Sequence, residues 1–186
     1  MMYNDIKKDA DFIFESLASG ERLIPSAFDV IKSSAVFPMS CLSFYALSLA
    51  YIIYSFVPPD DVWINPILHY QGLTLAFGGF TLILAIAIMA MLYTPFMLLT
   101  SIPKEVRIKS LLIQRLTALF RKISEVAIVI NGMLAIAAAF IPQLFYAAPF
   151  VLLISYLIMQ ASISSELTRY GIAGAMSKFA KIIKKI

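Results

Sequence analysis

The chain is poor in the residue types that do chemistry. It has one cysteine, Cys41, which excludes an intramolecular disulfide and a cysteine-built metal site and leaves packing as that residue's expected role. It has one histidine, His69, with Asp60 and Asp61 nearby in sequence. That donor set is too small for the usual transition-metal sites, which combine several nitrogen, sulfur or oxygen ligands. No HExxH, GxSxG, glycine-rich phosphate loop or CxxC occurs. Serines are plentiful, but a serine without a positioned base has no means of activation. Neither catalysis nor a cofactor is expected.

Charge is scarce as well. Only 14% of the 186 residues are charged against 61% hydrophobic, and the mean hydropathy is +0.87, which argues against a water-soluble fold. No Asp, Glu, Lys or Arg occurs in residues 33–59, 62–103 or 126–165, giving uncharged runs of 27, 42 and 40 residues. A helix crosses the roughly 30 Å hydrocarbon layer in about 20 residues, so the first run holds one span and the third holds two. The middle run would be about 63 Å long as one helix at 1.5 Å per residue. Part of it must lie outside the layer, and residues 62–70, with Trp63, Asn65, Pro66, His69 and Tyr70, read as interfacial.

The expected fold is therefore all-α and polytopic, with four transmembrane helices at about 33–57, 72–101, 125–141 and 144–164. Residues 1–32 form a cytoplasmic amphipathic segment, 33–164 the four-helix transmembrane domain, and 165–186 a basic amphipathic tail. A tight turn at Pro142 and Gln143 joins the last two spans. The third would be short unless it starts earlier with Arg121 and Lys122 snorkelling to the surface, and a re-entrant hairpin is the rival arrangement.

All fifteen basic residues lie in three segments: before the first span, between the second and third, and after the fourth. The two opposite loops hold no basic residue. The positive-inside rule then places both termini and the central segment in the cytoplasm. The net charge of +4 reads as a topology signal, with no nucleic-acid partner implied. The first thirty residues hold six acids and no apolar core of signal-peptide length, so the first span is expected to be a permanent anchor.

Helical spacing of Ile6, Ala10, Ile13 and Leu17, of Leu112, Leu116, Leu119 and Ile123, and of Ile172, Met176, Phe179, Ile183 and Ile186 marks three amphipathic segments. They suit an anionic membrane leaflet; the same stripes would serve a protein partner. Proton and ion pathways need ionisable groups at membrane depth, and the four spans hold only Glu125, at the edge of the third. Asn131 is the polar residue most costly to expose to lipid, so it should hydrogen-bond a neighbouring helix. Ala46/Ala50 and Ala135/Ala139 would permit close helix approach, and Gly78, Gly79, Pro95 and Pro103 read as kinks or an end in the long second span. A pore would require a homo-oligomer.

Recognition is the function left. The whole layout resembles the entry (surface) exclusion proteins of F-type conjugative plasmids, the TraS family. So do two local stretches: Ser19-Gly20-Glu21-Arg22-Leu23-Ile24-Pro25-Ser26 before the first span, and Ser165-Glu166-Leu167-Thr168-Arg169-Tyr170-Gly171 after the last. The resemblance implies an inner-membrane protein of a recipient cell that stops redundant plasmid transfer by recognising the cognate donor mating-pair stabilisation protein, TraG. It supplies no residue-level site. On physical grounds two surfaces are expected to contact a partner. One is the outer segment 58–70, with Asp60, Asp61, Trp63, His69 and Tyr70, whose plainer role is an interfacial aromatic anchor. The other is the cytoplasmic set formed by the N-terminal segment, the central segment and the tail. An immunity protein against a pore-forming bacteriocin would share this form, and a transporter or channel subunit is the reading from a different class.

Overall fold

A backbone that crosses lipid must satisfy its own N–H and C=O groups, and a helix does so within one segment. The computed structural model describes residues 25–57 and 65–169, which are nearly all helical with no strand among them. The expected N-terminal amphipathic helix, Asp60, Asp61 and Trp63, and the tail beyond Arg169 lie outside the described residues. In chain order the elements are α1 (Ala27–Tyr54), α2 (Pro66–Ser101), α3 (Lys104–Lys109), α4 (Leu111–Phe140), a 3-10 helix η1 (Pro142–Ala147) and α5 (Ala148–Arg169). Four helical stretches among the described residues are long and apolar enough to cross a membrane: Ala27–Tyr54, Ile67–Ser101, Leu111–Phe140 and Pro142–Arg169.

Local chemistry sets the helix ends. α1 begins after Ser26, whose carbonyl accepts the Val30 N–H at 3.2 Å, and Asp29 in its first turn complements the helix dipole. Asn65 precedes α2: its Oδ1 accepts the Ile67 N–H at 3.2 Å, and Pro66 occupies the first helical position, where its missing N–H costs nothing. The segment 62–70, expected as interfacial chain, thus contributes its last five residues to the first turns of α2. Pro95 lies inside α2 without ending it. The helix stops at Ser101, just before Ile102, which Pro103 disfavours from helical geometry.

The helix that contains the third expected span, 125–141, begins earlier than the span, as the alternative with Arg121 and Lys122 at the surface allows. α4 starts at Leu111 and runs unbroken for 30 residues, so the central segment is short α3 plus the first turns of α4. The reason is a cap and the absence of a stop. Ser110 Oγ accepts the Ile113 N–H at 3.2 Å, an N-cap bond, and no glycine or proline occurs between Lys104 and Asn131. The turn at Pro142 and Gln143 is likewise longer than expected. It is the six-residue η1, which leads straight into α5.

Contacts divide the chain into two units. A spanning unit comprises Ser26–Phe96 and Ser124–Tyr156; a charged unit includes Met97–Ile123 and the described residues from Leu157 onward. The boundary within α2 falls one residue after Pro95.

The spanning unit has a core of Tyr45, Ile52, Ala135, Ala138, Phe145 and Ala148, with Leu49, Phe77 and Leu134 packed against it. Lipid removes the hydrophobic drive for helix association, so contact must come from close packing by small residues. Ala135 and Ala138 supply it on α4, whereas Ala46 and Ala50 on α1 are exposed. Gly78 supplies it on α2: a Cβ there would lie 2.9 Å from Leu49 Cδ2 and 3.7 Å from the Phe145 ring, while one on Gly79 would meet open space. Gly78 is therefore a contact point and not only a kink signal. The unit's outward faces are large and apolar, with Leu47 69% and Ile83 66% exposed. Such surface is tolerable in lipid and a liability in water.

Candidate functional site

Asn131 stands at the centre of the spanning unit, 0% exposed. Its Oδ1 accepts the Tyr45 hydroxyl of α1 at 2.8 Å. Its Nδ2 donates to Ser155 Oγ of α5 at 3.0 Å and to the Ala127 carbonyl, one turn back on α4, at 2.8 Å. Ser155 in turn donates to the Val151 carbonyl at 2.7 Å. Both amide hydrogens and the amide oxygen are engaged, so one side chain ties three helices. The expected interhelical role of Asn131 matches this arrangement. Sequence reading did not identify its partners. A tyrosine and a serine 86 and 24 residues away carry no spacing signal that singles them out from others in the same helices.

Of the other expected site, the described residues include His69 and Tyr70. His69 and Tyr70 lie near the start of α2, both exposed, with ring centroids 4.9 Å apart and planes at 90°. Tyr70 also meets Phe56, which follows α1, at 5.9 Å. Tyr51 of α1 meets Phe140 of α4 at 6.3 Å, and Phe77 of α2 meets Tyr146 of η1 at 5.2 Å. The last three pairs each join separate segments of the chain, whereas His69 and Tyr70 are neighbours within α2, and edge-to-face or tilted geometry suits the ring quadrupoles. His69 and Tyr70 thus stand exposed in the first turns of α2. Asp60, Asp61 and Trp63, expected beside them, are not among the described residues.

The charged unit is built differently. It carries the six basic residues from Lys104 to Lys122, and Arg169, against Glu105 and Glu166. Gln114 Nε2 donates to the Ile108 carbonyl, which links α3 to the start of α4. Buried polar atoms without a hydrogen-bond partner occur here at Arg107 Nε and Glu166 Oε2.

No group of three or more His, Cys, Asp or Glu side chains placed to hold a metal occurs among the described residues. The arrangement offers a closed internal polar node, an exposed aromatic edge and a cationic charged unit. These are means of contact. No family model, curated protein or solved structure matches this chain.

Proposed function

We propose that this chain is an inner-membrane surface exclusion protein, with both termini and the charged unit in the cytoplasm. It blocks redundant conjugative plasmid transfer by recognising a cognate TraG-like mating-pair protein of the donor. The reading is supported first by the resemblance in layout and by the confinement of basic residues to alternate segments. The structural observation that carries it is the closed Tyr45–Asn131–Ser155 node. Polar groups at membrane depth bond to one another, so specificity falls to surfaces such as the exposed His69–Tyr70 edge. Discrimination of one partner from its relatives needs such contacts and no chemistry.

The test is conjugation frequency into recipients expressing the chain, with F-type donors of several exclusion groups and an unrelated plasmid as control. A drop of orders of magnitude for one donor group alone is the expected result. No drop for any donor, with the protein confirmed in the inner membrane, discards the proposal. Charge reversal at Asp60 and Asp61 should then change which donor group is excluded at unchanged protein level. Unaltered exclusion would remove the outer segment as the discriminating surface.

A further inference from the structure

Large apolar side chains stand exposed along α2 only as far as Met91. Leu73, Phe80, Ile83, Ile86 and Met91 are all exposed. From Leu92 to Ile102 every large apolar side chain is buried or half-buried, and the exposed positions are Thr94 and Pro95. Charge does not explain the change, because none occurs on the chain again until Lys104. α4 shows the same pattern from the other direction. Its large apolar residues from Leu112 to Ile123 are buried or half-buried while Gln114, Thr117, Arg121 and Lys122 are exposed, and the outward apolar series starts at Val126. On α5 that series ends at Ile158; Met159 is buried, and Ile163 and Leu167 are half-buried.

Acyl chains and water ask opposite things of a helix. In lipid an outward leucine or isoleucine meets a solvent as apolar as itself, whereas in water apolar side chains are stabilised by cover. Helix length agrees with a change of solvent at Met91. Tyr70 to Met91 spans about 32 Å at 1.5 Å per residue, close to the ~30 Å hydrocarbon thickness. Met91 to Ser101 adds about 15 Å, more than the headgroup layer of about 5–8 Å. The division into units falls after Phe96 on α2, Ile123 on α4 and Tyr156 on α5. Each division lies within about two helical turns of the residue where the outward apolar series stops or starts. Ile108 and Leu111, at the junction of α3 and α4, are exposed, and single apolar residues of this kind are ordinary on a surface facing water.

We infer that acyl chains cover α2 only as far as Met91, and that the rest of α2 stands in headgroups and water together with residues 111–123 of α4 and the part of α5 beyond Ile158. The expected span 72–101 then divides into a lipid-facing part and an aqueous extension of about ten residues. Lys104, Lys109 and Lys122, all exposed, lie beyond the acyl chains, where a soluble partner can reach them. The inference is independent of the proposed function.

The experiment uses the full chain in liposomes, with single cysteines introduced at exposed positions and a maleimide that reacts only with thiols in water. The reagent is present on both sides of the bilayer, so the result does not depend on orientation. The unsubstituted chain gives the baseline, since Cys41 is buried. Thr94→Cys should label at a rate comparable with Thr117→Cys and at least about tenfold faster than Ile83→Cys, because the hydrocarbon layer holds no water. Labelling of Thr94→Cys as slow as that of Ile83→Cys overturns the inference and extends the acyl region toward Ser101. A second measurement needs no substitution. Phospholipids with a photoactivatable diazirine on the acyl chain are crosslinked to the unsubstituted protein and the adducts mapped by mass spectrometry. On α2 they should fall between Leu73 and Met91; adducts within residues 94–102 overturn the inference.

Discussion

Asn131 and Glu166 each place polar atoms out of reach of water, one in the spanning unit and one in the charged unit, and their surroundings are opposite. Asn131 has a partner for every hydrogen and for its oxygen. Glu166 has a distant arginine on one oxygen and nothing on the other. Arg107 Nε is unsatisfied in the charged unit too, while Ser48 Oγ is the exception in the spanning unit. A lone hydroxyl costs less to leave unpaired than a group bearing charge, so the contrast stands. In an apolar run a polar group must be answered from within the protein, and Asn131 is; the charged unit tolerates two buried polar atoms without hydrogen bonds.

The largest expected effect tests the closed node. Asn131→Leu removes the bonds to α1 and α5 and leaves the Tyr45 hydroxyl without its acceptor. Interhelical hydrogen bonds in membranes are worth roughly 0.6–1.7 kcal/mol each, so a loss of about 2–3 kcal/mol is expected in a detergent unfolding titration. A loss under about 0.5 kcal/mol would show that the node does not hold the helices together, and the comparison would fail. Next comes packing. Gly78→Val drives a branched side chain into Leu49 and Phe145 and should cost about 1–3 kcal/mol by overpacking. Gly79→Val, one residue along, meets open space and should be neutral or slightly stabilising, since valine is the better helix former. Similar losses for the two would mean that α1 and α2 do not approach at Gly78. Tyr45→Phe is milder. It deletes one bond, keeps the ring that meets Phe145 edge-on at 6.0 Å, and should cost about 1 kcal/mol.

How much of this was legible in the sequence follows from which signals are local. The four spans and their order could be read because an uncharged run longer than 20 residues has few alternatives. The start of α4 at Leu111 lies upstream of the expected span because charge bounds an apolar run and does not end a helix. Helix ends obey caps and breakers, and Ser110 with no glycine or proline after it until Gly132 carried the better signal. Asn131 was legible as a contact because an amide in an apolar run must find a partner. Tyr45 and Ser155 were not, since pairing across 86 and 24 residues depends on helix rotation that a single sequence does not encode. The depression that Glu166 shares with Arg115 and Lys122 was invisible for the same reason. Arg115 and Lys122 share a helix face by spacing, but nothing in the spacing brings a residue more than forty positions later beside them.

The smallest expected effect is the sharpest test of the two conditions. Glu166→Gln keeps the side chain's shape and removes its charge. It deletes a partly exposed ion pair worth about 0–1 kcal/mol at most, and it relieves a buried carboxylate oxygen that has no donor. These terms oppose each other, so stability in lipid-free detergent should move by less than about 0.5 kcal/mol, against 2–3 kcal/mol for Asn131→Leu. If Glu166→Gln alone destabilises as much as Asn131→Leu, the charged unit is held by its polar groups as firmly as the spanning unit, and the distinction between them disappears.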